Sequence, residues 1–159
     1  MTTFIDYKEI PLNHSQKVMI IVSRFNMDIT KKLLTGTHQR LLQLGIIEQD
    51  IEVIWVPGAV EIPLVAKLVA DQGKHAVIIC LGAVIRGETT HYDYVCSQVS
   101  DGCARVGLET RKPIIFGILT TENDAQAYDR LGGAHGHTGH DFAEAAVEMI
   151  QVCHALQSC

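Results

Sequence analysis

Four short segments gather the side chains that can hold a ligand or move a proton. Ser23-Arg24-Phe25-Asn26 sets an aromatic ring beside a cation, and Pro57-Gly58-Ala59-Val60-Glu61 ends in a carboxylate. Arg86-Gly87-Glu88-Thr89-Thr90-His91 joins a glycine, two hydroxyls and an imidazole, and Thr120-Thr121-Glu122-Asn123 adds a fourth polar cluster. Gly87, Glu88 and Thr89 precede a helical pattern, so their backbone N–H groups face the positive end of a helix and suit phosphate or another anion. The same segment also suits ordinary capping, with Thr89 or Thr90 as the N-cap. It matches neither the Walker pattern nor the dinucleotide glycine fingerprint.

His91 stands at that helix start. An imidazole there can give and take a proton near neutrality, or serve as one of eight surface or capping histidines. Phe25 can stack on a flat heterocycle or simply fill the core. Glu61 can accept hydrogen bonds from ligand hydroxyls, or favour the N-terminus of its own helix. Arg130 can clamp a phosphate from a helix end, or remain a solvated charge. His135, His137, His140 and Asp141 have a spacing that can gather metal ligands. No C-x-x-C accompanies them and glycines interrupt them, so no metal is expected.

These residues need a frame, and the hydropathy pattern supplies one. Residues 18–22 (VMIIV) are a continuous apolar run of strand length, as in a strand buried on both faces. Over 28–44, apolar Ile29, Leu33, Leu34, Leu41 and Leu44 mark one helix face, with Gly45 at the stop. The alternation repeats: strand over 51–56, helix over 61–71 with Pro63 in its first turn, strand over 76–81, helix over 91–110, strand over 114–119 and helix over about 123–131. A last helix is predicted over 142–156, with the glycine-rich 132–139 as a connection. Strands alternating with helices imply a single-domain three-layer α/β/α sandwich around a four-stranded, mainly parallel, flavodoxin-like sheet. The segment before residue 14 is either a fifth, edge strand or an arm reaching a neighbour. In such a sheet, ligands bind beyond the carboxyl ends of the strands, where the four polar segments fall.

The 159 residues carry a net charge of −5 with no dense run of either sign, which argues against nucleic acid or an anionic membrane as partner. The apolar runs are far short of the ~20 residues a membrane span needs. Cys80, Cys96, Cys103, Cys153 and Cys159 form no C-x-x-C pair and are odd in number, which reads as reduced thiols in a cytoplasmic protein. No signal peptide is expected from the first residues.

LGAVIRGETTHYDYV (81–95) stands in order with SRFN (23–26), VPGAVEIP (56–63) and QAYDRLGG (126–133). Together these motifs resemble the lumazine synthase family, from about residue 18 to 152. The resemblance implies condensation of 5-amino-6-(D-ribitylamino)uracil with 3,4-dihydroxy-2-butanone 4-phosphate to 6,7-dimethyl-8-ribityllumazine, phosphate and water, with no cofactor. It implies a homopentamer with sites between neighbouring subunits, or a shell of sixty subunits. Carried over by motif, Phe25 stacks on the pyrimidine, Ala59 and Glu61 hold the ribityl chain, and Val84 and Ile85 present backbone groups to the uracil edge. Gly87, Glu88 and Thr89 cradle the phosphate and His91 shuttles protons. Phe116 and Arg130 come from the adjacent subunit, Phe116 lining the ring pocket and Arg130 binding phosphate. In one place the chain departs from the pattern: many family members carry lysine in an Asn-Lys-Gly or similar triplet, where this chain has His137-Thr138-Gly139. The competing readings are a lumazine or flavin binder without turnover, and a shell protein with a vestigial pocket. A flavodoxin-like signalling domain would be expected to show a clustered acidic site near the strand ends, and none is found.

Overall fold

A computed structural model describes residues 1–12 and 15–157; Cys159 lies outside them. The apolar run becomes β1 (Val18–Ser23), in which every residue is buried. Its side chains alternate between two cores, as a strand's period of two requires. Val18, Ile20 and Val22 pack with residues of α1 (Met27–Gln43) and α5 (Thr138–Gln157), while Met19 and Ile21 pack with residues of α2 (Ile62–Gln72) and α3 (His91–Thr110). β1 pairs in parallel with β2 (Ile51–Val56) on one side and β3 (Val77–Ile85) on the other, and β3 pairs in parallel with β4 (Ile114–Thr121). The order β2-β1-β3-β4, covered on both faces by helices, is the expected three-layer flavodoxin-like sandwich.

Several boundaries differ from the sequence expectation. β3 runs on to Ile85 and β4 to Thr121 because the two strands pair to the end, Ile85 opposite Thr121. Thr120 and Thr121, expected in a loop, are therefore strand residues. The short α4 (Asp124–Asp129) stops early, since Leu131 already belongs to a hairpin of β5 (Leu131–Gly133) and β6 (Gly136–His137). That hairpin replaces the expected plain connection over 132–139. α5 begins at Thr138 rather than at 142, because the ring of His137 accepts a hydrogen bond from the Gly139 N–H (3.1 Å) and so starts the helix. Gly45 follows α1 at φ 98°, the left-handed conformation that ends helices cheaply only in glycine.

Among residues 1–12 no strand forms, so of the two alternatives for this segment the edge strand is absent there; Tyr7–Glu9 make one 3-10 turn. This segment lies on α5, where the Gln151 amide donates to the carbonyls of Lys8 (3.2 Å) and Ile10. No helix among the described residues is long and apolar enough to cross a membrane.

Close packing between β3 and the edge strand β4 makes Gly117 a sensitive position. A methyl there would stand 2.6 Å from Leu81 Cδ2 and 2.7 Å from the Cys80 carbonyl oxygen. Gly117→Ala is expected to destabilise the fold by about 1–3 kcal/mol through overpacking, read as a lowered urea midpoint. An unchanged midpoint would show that β3 and β4 separate at little cost.

Candidate active site

The sheet grows outward from β1 to β2 and then, on the other side, from β3 to β4. Such a reversal leaves a crevice at the carboxyl ends of the two central strands. A cleft of about 400 Å³ opens there. Phe25 enters it from the loop after β1, Ala59 and Glu61 from the turn after β2, and Val84 and Ile85 from the end of β3. Gly87 and Thr89 close it from the loop before α3, and His91 from the first turn of α3. Glu88 lies in the same loop, exposed, outside the cleft lining. A larger depression of about 500 Å³ lies between the N-terminal segment, α1 and α5. It is lined by Arg40 paired with Glu144 and holds none of the expected site residues, so size alone does not choose the site.

Each lining residue is held from a distance in sequence. The Phe25 N–H donates to the Pro57 carbonyl at 3.0 Å. Asn26, left-handed at φ 59°, donates from Nδ2 to the Ala83 carbonyl at 2.9 Å and so ties the β1 loop to β3. Phe25 remains 71% exposed, which rejects the core reading and leaves a ring face available for stacking. Glu61 Oε2 accepts from the Gly58 N–H at 2.9 Å. The carboxylate thus braces the turn after β2 rather than capping its own helix, while Oε1 can accept from a ligand.

The loop before α3 is clamped by Arg86. Its N–H donates to the Thr121 carbonyl at 2.9 Å, continuing the strand pairing. Its guanidinium donates to Glu122 at 2.8 Å, reaches Asp93 at 3.3 Å and stacks on the Tyr92 ring at 4.2 Å. Glu122, then Asp93, hold its charge by raising its pKa. Each exposed ion pair stabilises little alone, but together they tie the loop to β4 and to the first turn of α3. Thr89 Oγ1 accepts from the His91 N–H at 3.3 Å, so Thr89, rather than Thr90, supplies the side-chain cap. Sequence reasoning missed Arg86 and Tyr92, although Tyr92 lines the cleft. Burial, the largest influence on Tyr92, raises its phenol above the usual range. Their position inside the 81–95 motif was the available signal.

Known proteins carry the same arrangement of sequence. The profile described as 6,7-dimethyl-8-ribityllumazine synthase matches residues 15–154. The chain belongs to that family. Proteins named 6,7-dimethyl-8-ribityllumazine synthase from Coxiella burnetii strains CbuG_Q212, RSA 493 / Nine Mile phase I and Dugway 5J108-111 are each 53% identical to it over 143 residues. The similarity covers 90% of this chain and 95% of each relative.

Two residues expected in a lumazine synthase site lie outside this chain's own cleft. Phe116, on the sheet-edge strand β4, lines a separate depression with Cys103, Gly107 and Leu108 of α3. Arg130 follows α4 and is exposed. Its backbone is nonetheless fixed: the carbonyl accepts from the Thr138 N–H at 2.8 Å and from Thr138 Oγ1 at 3.2 Å. Thr138, at the position where many family members carry lysine, therefore braces Arg130. The nearby histidines do not gather as ligands. His135 pairs with Asp129, holding that carboxyl below its usual pKa, and His137 stacks on His140 with ring centres 4.8 Å apart. Among the described residues no group of three or more His, Cys, Asp or Glu is arranged to hold a metal. Cys80 and Cys103 are buried and Cys96 and Cys153 partly so, all as free thiols.

Proposed function

We propose that this cleft condenses 5-amino-6-(D-ribitylamino)uracil with 3,4-dihydroxy-2-butanone 4-phosphate to give 6,7-dimethyl-8-ribityllumazine, phosphate and water. Family membership makes the chain a transferase of riboflavin biosynthesis. The observation that carries the reading is the meeting of Phe25, Glu61, Thr89 and His91, from three separate loops, on one cleft at the sheet's switch point. Phe25 offers a face to the pyrimidine, and Ala59 and Glu61 hold the ribityl chain, Glu61 accepting from its hydroxyls. Val84 and Ile85 present backbone groups to the uracil edge. Gly87, Glu88 and Thr89 turn N–H groups toward the phosphate at the positive end of the twenty-residue α3. His91 moves protons as the imine forms and phosphate leaves. One substrate is a reactive amine and the other a ketone with a leaving group, so holding both in register supplies much of the acceleration.

Self-association completes the site in this reading. Phe116 and Arg130 serve the cleft of a neighbouring subunit in a homopentamer, with a sixty-subunit shell as the larger assembly. Leu64 and Leu68 on α2, and Tyr94 and Leu108 on α3, are large side chains left exposed on this chain, and a neighbouring subunit would cover them in this reading. The free thiols accord with a cytoplasmic enzyme.

The test mixes purified protein with both substrates and follows the fluorescent lumazine against an enzyme-free blank. A rate above blank that scales with protein supports the enzyme. A rate equal to blank from assembled protein leaves a binder or a scaffold. A second measurement concerns Thr138. Thr138→Lys keeps the backbone N–H bond to Arg130 and adds a cation beside it, so the KM for the phosphate substrate is expected to fall. An unchanged or higher KM would mean that the bracing hydroxyl matters more than the added charge.

A further inference from the structure

His137 lies outside the cleft and has no part in the reaction described above, yet its partly buried ring is packed between α1 and α5. It packs flat on Gly36 of α1, where a methyl would stand 2.1 Å from Cε1, and on Gly139 of α5, where a methyl would stand 2.9 Å from Cε1. Only glycine at both positions leaves room for it. Nδ1 accepts from the Gly139 N–H at 3.1 Å, so that nitrogen carries no proton. That contact assigns the ring as neutral with its proton on Nε2, and the Lys32 carbonyl faces it. An imidazole thus performs the N-cap function at α5 that Asn or Asp performs at other helices.

The cap is coupled to Arg130 through the next residue. Thr138, the first residue of α5, donates from N–H and Oγ1 to the Arg130 carbonyl, while His137 itself pairs with Leu131 across the hairpin. The first turn of α5, the hairpin and the Arg130 backbone therefore form one closed unit. We propose that His137 is a positioning residue for Arg130, keeping that guanidinium in phosphate-binding register only while its ring is neutral. This rests on the reading of Arg130 as a phosphate ligand.

Protonation turns Nδ1 into a donor aimed at the Gly139 N–H, so two donors meet at the positive end of a helix. The groups facing the ring decide how readily that happens. From α5, the stacked His140 opposes a second positive charge and the Asp141 carboxylate favours it. From α1 comes the Lys32 carbonyl, which also favours it, while the Lys32 ammonium sits over the Tyr128 ring at 4.9 Å. On the hairpin, His135 is taken up by Asp129. Burial is the largest influence and holds the ring below the ordinary histidine range. A histidine with a depressed folded pKa leaves the packed unit intact above about pH 6.5, its ordinary value. The unit loosens as pH falls from there through the lower folded value.

The experiment measures KM for the butanone phosphate from about pH 8 to 5.5, across the histidine range, in wild type, His137→Asn and Arg130→Ala. Asparagine can accept from the Gly139 N–H but does not titrate. The substrate's own phosphate ionisation acts alike on every variant and cancels in the ratio of wild type to His137→Asn. That ratio is expected to rise several-fold on the acid side, without a matching fall in kcat. A flat ratio overturns the proposal. Side-chain NMR of the labelled histidines in wild type needs no variant: a neutral Nε2–H ring at pH 7 is expected, and a charged or Nδ1–H ring overturns it. An unaltered KM in Arg130→Ala would remove the phosphate-ligand reading itself, and the proposal with it, whatever state the NMR finds for His137.

Discussion

His91→Ala is expected to lower kcat by about 10²–10⁴-fold, the usual contribution of a positioned proton shuttle, while leaving a rate above the enzyme-free blank. The residue reaches the cleft from the first turn of α3, on a loop fastened by Arg86 to Glu122 and Asp93. Removing the imidazole leaves that loop, the Phe25 face and the Glu61 carboxylate in place. In the proposed reading those groups still orient the amine against the ketone, and orientation alone is worth ~7–11 kcal/mol in favourable cases. The loss should therefore fall on kcat, with KM for both substrates little altered. Steady-state rates beside an enzyme-free blank decide the matter. Full retention of the rate would remove His91 from proton transfer, whereas collapse to the blank would mean that positioning contributes little without it.

Arg130→Ala is expected to raise the KM for the butanone phosphate by roughly tenfold to a hundredfold, as loss of a charge-assisted hydrogen bond worth ~1.5–3 kcal/mol requires. Arg130 is absent from the lining of its own chain's cleft, so the effect should arise in a neighbour. Subunit mixing tests this. When His91→Ala and Arg130→Ala chains are unfolded together and reassembled, about a quarter of the sites in a closed ring receive an intact His91 from one chain and an intact Arg130 from the next. Activity well above that of either variant alone is the expected result. Mixed assemblies no more active than the separate variants would place Arg130 and His91 on one chain, or Arg130 outside the site.

The same separation shows where local sequence stops being informative. β1 was legible because five consecutive apolar residues leave no polar face, and α1 because its apolar residues recur on one side. Phe25, Glu61, Thr89 and His91 were legible as candidates because they follow predicted strands. The far ends of β3 and β4 were not, since they are set by pairing between strands rather than by the residues within either. The start of α5 was hidden because its cap is an imidazole, a residue seldom read as a cap. Arg86 was named in its segment but given no role, because Glu122, its closest partner, lies 36 positions away.

From its sequence alone, the chain determined the alternation of strands and helices and the chemistry carried by each loop. Both depend on consecutive side chains and on their period. The order β2-β1-β3-β4, and with it the meeting of three loops at one crevice, was decided by hydrogen bonding between strands far apart in the chain. So was the exclusion of Phe116 and Arg130 from that crevice, because distance in space is fixed by packing and not by neighbours along the backbone.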